Sequence, residues 1–118
     1  MYTDERGLKC TQTGTFFNGK LRGEGVLKKL SPDKGVEVFS YSGNWNEGLF
    51  DGPGELKDDT APKFADCFTY VGEFFQGMYH GNGTIKYNNK NKYEGAWLWG
   101  KYDGPGFLTL CTIVKNDE

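Results

Sequence analysis

Four glycines recur at fixed positions in four successive stretches of this 118-residue chain, and that spacing limits its fold more than any other feature. Counting Tyr41 as offset zero, Gly43, Trp45, Gly48, Gly52, Gly54 and Leu56 fall at offsets two, four, seven, eleven, thirteen and fifteen. The same offsets from Tyr70 give Gly72, Phe74, Gly77, Gly81, Gly83 and Ile85, and from Tyr93 they give Gly95, Trp97, Gly100, Gly104, Gly106 and Leu108. From Gln12 they give Gly14, Phe16, Gly19, Gly23, Gly25 and Leu27, with glutamine in place of tyrosine. The units start at 12, 41, 70 and 93, so the basic unit is 23 residues and the first two connections carry six more. Those extra residues fall in the turn-rich Ser31–Gly35 stretch and in the Lys57–Ala65 segment with Pro62. A repeat of this kind has to be recognised before any element is assigned, because each copy is one supersecondary unit.

Each unit predicts a β-hairpin. Side chains alternate along a strand, so offsets zero, two and four share a face of the first strand, and eleven, thirteen and fifteen share a face of the second. A two-residue turn made of the offset-seven glycine and its follower would pair four with eleven, two with thirteen and zero with fifteen. That register sets Trp45 opposite Gly52, Gly43 opposite Gly54 and Tyr41 opposite Leu56, with each ring beside a glycine on which it can lie flat. Cys10, Phe39, Phe68 and Asn91, two positions before each unit, extend the same face. The opposite face is mostly polar, with Phe17, Phe75 and Leu98 as exceptions. No stretch shows the helical period, so no helix covers the aromatic face, which must curl on itself and stay partly open.

The spacing YxG, a ring two positions on, then xxGxxxGxGxL, resembles the MORN repeat (membrane occupation and recognition nexus) over roughly residues 10 to 110. The fold expected is all-β, an elongated, twisted, antiparallel single sheet of stacked hairpins forming one domain over 1–118. Its repeats are placed at about 10–30, 39–57, 68–88 and 91–110, with a C-terminal strand or edge at 107–114. The uninterrupted β-prone run Phe107–Val114 reads as a long final strand, or as an edge that pairs with a second copy of the chain in a homodimer. The resemblance implies a non-catalytic scaffold or adaptor for protein partners at the cytoskeleton or near membranes, sometimes self-associating. MORN repeats also occur fused to lipid-kinase or methyltransferase domains, for which this chain has no room, so a fragment of a larger protein is a further expectation.

Residue chemistry points the same way. The formal charge of -2 supplies no basic field for nucleic acid, and weakly supports the phospholipid binding that the family name suggests. Lys28-Lys29 and Lys90 with Lys92 are short clusters of a solvated kind. No apolar run is long enough to span a membrane, and Met1–Arg6 lacks an apolar signal core. Cys10, Cys67 and Cys111 form no CxxC pair, which fits a reducing, cytoplasmic setting. The glycine-lysine sequences at 14–20 and 95–101 approximate a phosphate-binding loop but lack its Ser or Thr, and their spacing belongs to the hairpin. His80 is the single histidine; Cys67 with His80 is formally a nucleophile and base, yet His80 sits in a variable polar slot. Asp51, Glu55 and Asp103 occupy repeat-related polar slots. No catalytic residue, metal site or cofactor is therefore expected. The expected site is a partner-binding groove for a helix or extended peptide, floored by Tyr41, Trp45, Tyr70, Phe74, Tyr93 and Trp97, with Phe50, Tyr79 and Tyr102 at offset nine and the two inserted loops as its rim.

Overall fold

A computed structural model describes residues 2–110 as one nine-stranded antiparallel sheet whose strands lie in chain order. A short β1 (Tyr2–Thr3) precedes four hairpins: β2 (Lys9–Phe17) with β3 (Lys20–Leu30), β4 (Glu37–Asn46) with β5 (Leu49–Asp58), β6 (Phe68–Phe75) with β7 (Met78–Tyr87), and β8 (Lys92–Leu98) with β9 (Lys101–Thr109). Helical structure among these residues is limited to a 3-10 turn at Phe64–Asp66, in the second inserted loop. The expected final strand stops at Thr109, and 111–114 lie outside the described residues.

The expected register holds at the open end of each hairpin and fails near its turn. Tyr41 faces Leu56 and Gly43 faces Gly54, but Trp45 faces Phe50 rather than Gly52. The same shift occurs at Phe74 with Tyr79 and at Trp97 with Tyr102. The cause is the turn, which uses offsets six and seven: Asn18-Gly19, Glu47-Gly48, Gln76-Gly77 and Trp99-Gly100 all have positive φ. Two successive positive-φ residues make the primed turn that matches strand twist. The second strand then holds Asp51, Gly52 and Pro53 opposite Asn44 alone, a bulge of two extra residues. Gly52 has φ 96°, and Gly23, Gly81 and Gly104 have φ between 69° and 79°, so this glycine is the hinge of the bulge.

The offset-eleven glycine does meet a ring, but from the following repeat. Gly23 faces Trp45, Gly52 faces Phe74, and Gly81 faces Trp97 across the seams between hairpins. Each seam is also pinned at the turn, where the Gly48, Gly77 and Gly100 amides donate to the carbonyls of Leu21, Phe50 and Tyr79 at 2.8–3.1 Å.

The tyrosine at offset zero lies over the facing glycines at two and thirteen. A Cβ at Gly54 would collide with the Tyr41 ring, and one at Gly43 would come 2.6 Å from the Pro53 carbonyl oxygen. The Tyr41, Tyr70 and Tyr93 hydroxyls each donate at 2.8 Å to the carbonyl at offset three, those of Asn44, Glu73 and Ala96. That carbonyl sits where the bulge disrupts the ladder, so the tyrosine satisfies a group that pairing leaves open. The core is one stripe along this face: Cys10, Leu21, Leu27, Tyr41, Trp45, Leu56, Tyr70, Phe74, Ile85, Tyr93 and Trp97. Full burial of such side chains is worth about 1.5–3 kcal/mol each, which replaces the missing second layer.

These contacts set two expectations. Gly43→Ala should cost about 2–3 kcal/mol because backbone on both strands must move, whereas Gly48→Ala, which meets only Lys20 at 3.6 Å or more, should cost about 1 kcal/mol for its φ of 80°. Denaturant unfolding of the two variants measures the gap. Burial, opposed by the hydroxyl's bond to Asn44 and aided by Asp51, pushes Tyr41 up to about 12, and burial with Glu73 does the same for Tyr70. A raised tyrosine pKa means that the fold favours the neutral phenol. This contribution is complete below the ordinary value of 10 and is lost as pH rises from 10 towards 12. Stability should therefore hold up to about pH 10 and fall above it, with phenolate absorbance appearing in step with unfolding; early ionisation of all tyrosines in the folded chain would contradict this.

Candidate binding surface

The aromatic face is an ordered lattice of rings. Tyr41 stacks on Phe50 at 3.9 Å, Tyr70 on Tyr79 at 4.1 Å and Tyr93 on Tyr102 at 4.0 Å, all near parallel. An offset-four ring stands edge-on between successive pairs. Phe74 meets Tyr41 and Phe50 on one side at 5.1 and 5.6 Å, and Tyr70 and Tyr79 on the other at 5.0 and 5.5 Å. Trp97 does the same between the Tyr70–Tyr79 and Tyr93–Tyr102 pairs. Stacked and edge-to-face pairs at these spacings add about 0.5–1.5 kcal/mol each beyond area burial.

This lattice separates the candidate groove residues into two layers. Tyr41, Trp45, Tyr70, Phe74, Tyr93 and Trp97 are all at most 5% exposed, so they are interior. Phe50 and Tyr79 are half-buried and Tyr102 is 48% exposed, so the offset-nine row forms the accessible layer. Burial, with the nearby Tyr87 and Asp58 adding to it, holds the Tyr79 phenol well above its ordinary value, so it stays neutral at physiological pH. At the N-terminal end of the face, Tyr2, Gln12, Leu27, Trp45, Leu49 and Phe50 line a cleft of about 290 Å³. Gln12 reaches the Tyr2 hydroxyl at 3.3 Å there, in the place where later repeats have a tyrosine ring.

The remaining polar and reactive candidates scatter. Cys67 is buried at the loop end of the third hairpin, with its Sγ 3.7 Å from the Lys63 carbonyl, whereas His80 lies near the opposite, turn end. Cys10 is buried in the core. Asp51 accepts from the Gln76 amide at 3.4 Å, a bond between neighbouring hairpins. No group of three His, Cys, Asp or Glu suited to a metal exists among the described residues, and no helix there is long and apolar enough to cross a membrane. Three of the lysines have carboxylate partners: Lys29 pairs with Asp4 at 3.0 Å, Lys28 with Glu37 at 3.9 Å and Lys92 with Glu94 at 3.6 Å.

Two features escaped sequence reasoning. Trp99 occupies the first turn position at φ 50°, a conformation that suits Asn and strains a bulky residue. It packs with Phe75 and His80 on the polar face at 5.7 and 5.2 Å, and that offset-six slot, filled elsewhere by Asn18, Glu47 and Gln76, was the available signal. The second is a cleft of about 640 Å³ between the inserted loops, lined by Val36, Lys57, Asp59, Pro62, Phe64 and Asn88 among others. Phe64 was legible only as part of an insertion.

A family model described as MORN repeat matches residues 13–29, 41–59, 70–92 and 93–112. No curated protein matches the chain. MORN is a non-enzymatic repeat type, consistent with a protein- or membrane-binding module. The four segments coincide with the four glycine-spaced hairpins and together span about two thirds of the sequence. The chain belongs to the MORN-repeat family.

Proposed function

We propose that this array is a non-catalytic scaffold that holds a protein segment, an amphipathic helix or an extended peptide, along the offset-nine row of its aromatic face. The observation that carries the reading is the two-layer arrangement of the rings. The inner rings are fully used in holding the hairpins together, which leaves half-buried Phe50 and Tyr79 and exposed Tyr102 as evenly repeated aromatic anchors. Tyrosines are suited to this because they present rigid area with a polar tip, at little cost in side-chain entropy. The cleft between Tyr2 and Phe50, with Leu49 48% exposed at its edge, gives the row a deeper pocket at one end. A partner side chain seated there would meet the rings of Tyr2, Trp45 and Phe50, which line the cleft. Work at the cytoskeleton or at membrane-proximal sites in the cytoplasm belongs to the same proposal.

A phospholipid surface is the competing class, and charge argues against it, because the net charge is -2 and Lys28, Lys29 and Lys92 are engaged by carboxylates. The test is a peptide library panned against the immobilised chain, followed by titration of selected peptides into variants. Leu49→Glu changes an exposed cleft residue and should weaken binding about tenfold or more while leaving the melting temperature within a few degrees. Tyr79→Ala should weaken it as well, with some loss of stability from the broken stack. Full binding by both variants rules the row out as the site. Pelleting with phosphatidylserine vesicles, but not with neutral ones, at physiological salt would favour the lipid reading instead.

A further inference from the structure

The ring lattice stops at both ends of the array in complementary ways. Along its length the order is Phe16, the Gln12–Leu21 pair, Trp45, Tyr41–Phe50, Phe74, Tyr70–Tyr79, Trp97 and Tyr93–Tyr102. At the far end no described ring follows Tyr102, and Gly104, whose φ of 79° is positive like those of the three seam glycines, has no described strand on its outer side. Leu108 is 54% exposed, although its equivalents Leu27, Leu56 and Ile85 are core residues sealed by the next tyrosine. At the near end the reverse holds. Phe16 is 49% exposed, whereas its equivalents Trp45, Phe74 and Trp97 are buried. One end is a receptor without a ring, and the other is a ring without a receptor.

The geometry points to head-to-tail self-association, in which the outer edge of β9 in one copy takes the free part of β2 from a second copy. The internal seams fix the register. Gly23 faces Trp45, Gly25 faces Gly43 and Leu27 faces Tyr41, a pattern repeated at the next two seams. Applied across copies, it sets Gly104 opposite Phe16, Gly106 opposite Gly14, Leu108 opposite Gln12 and Thr109 opposite Thr11. That register avoids β1, which occupies the β2 edge only at Lys9 and Cys10, and β9 ends at Thr109. The added strand would pair the open backbone groups of an edge that is otherwise prone to promiscuous pairing. Phe16 would stand edge-on to Tyr93 and Tyr102, as Trp97 stands to Tyr70 and Tyr79. The two patches differ, so the contact is heterologous and repeats into a linear array unless its rotation closes a ring. It is made at the ends of the sheet and shares with the offset-nine peptide row only Tyr102 at one end and Gln12, at the edge of the cleft, at the other.

Light scattering on the full chain from micromolar to millimolar concentration tests it. The average mass should rise past that of a dimer as concentration increases. Phe16→Arg spoils one end and Leu108→Lys the other, both at exposed positions, and each variant alone should remain monomeric. Their equimolar mixture should form a dimer and stop there, since only one compatible pair of ends remains. Phe16→Trp, which copies the residue at 45 and 97, should lower the concentration needed for association about tenfold; it keeps the test valid if a charged variant fails to fold. A wild-type chain that is monomeric throughout overturns the inference, including where its own C-terminal residues cover the edge. So does a Phe16→Arg variant that dimerises while Leu108→Lys does not, which would indicate symmetric pairing of two β9 edges, and so does an unchanged Phe16→Trp.

Discussion

The contact on which this structure depends is a tyrosine ring lying flat on two facing glycines. Tyr41 can reach the Asn44 carbonyl only because Gly43 and Gly54 have no side chains to lift it away. Its ring then offers one flat surface to Phe50 and an edge contact to Trp45 and Phe74. The bulge that carries Gly52 follows from the same arrangement, because two extra residues bring Phe50 over the tyrosine while keeping the ring side of the strand inward. Removing any one part leaves the others without support: a Cβ on the glycine displaces the ring, and a displaced ring leaves a carbonyl unpaired.

Because the sheet has a single layer, each hairpin completes the burial of its neighbour. Substantial contacts run only between successive strands, as in other repeat arrays. Phe74 is buried because rings of two different hairpins enclose it, and Phe16 is exposed because β1, which pairs with its strand only at Lys9 and Cys10, brings no ring pair to it. Residue identity alone therefore does not decide burial. Position in the array does, which explains why chemically similar phenylalanines at the same offset have opposite exposures. The polar face shows the complementary case, where Trp99 accepts a strained turn conformation and still finds Phe75 and His80 to pack against.

The glycine offsets make the hairpins, their order and the pairings of Tyr41 with Leu56 and Gly43 with Gly54 legible in the sequence alone. They did not settle which residue began the turn. A glycine at offset seven serves either position of a two-residue turn, and the deciding fact, a positive φ at Glu47 or Trp99, goes against the preference of those residues. The bulge was hidden for a related reason, since Gly52 reads equally as a flat place beneath a ring and as a hinge, and it is both, with the ring supplied by the next hairpin. The pattern set an offset-nine rim apart from a floor of rings, but which rim ring stacks on which floor ring could not be read from it, because offset nine is occupied by the chemically varied Leu21, Phe50, Tyr79 and Tyr102.

The seams between hairpins are interchangeable, and this has a consequence for how such a chain changes length. Gly52 meets Phe74 in the same register in which Gly81 meets Trp97, and the inserted loops attach at the ends of the strands, away from those seams. Excision of 70–92, one whole unit, would bring β8 against β5 with Gly52 facing Trp97 and Leu56 facing Tyr93. Duplication of that unit would be equally silent to its neighbours. The array is thus a modular ruler, graduated in hairpins, whose length can be altered by whole units without redesigning a core.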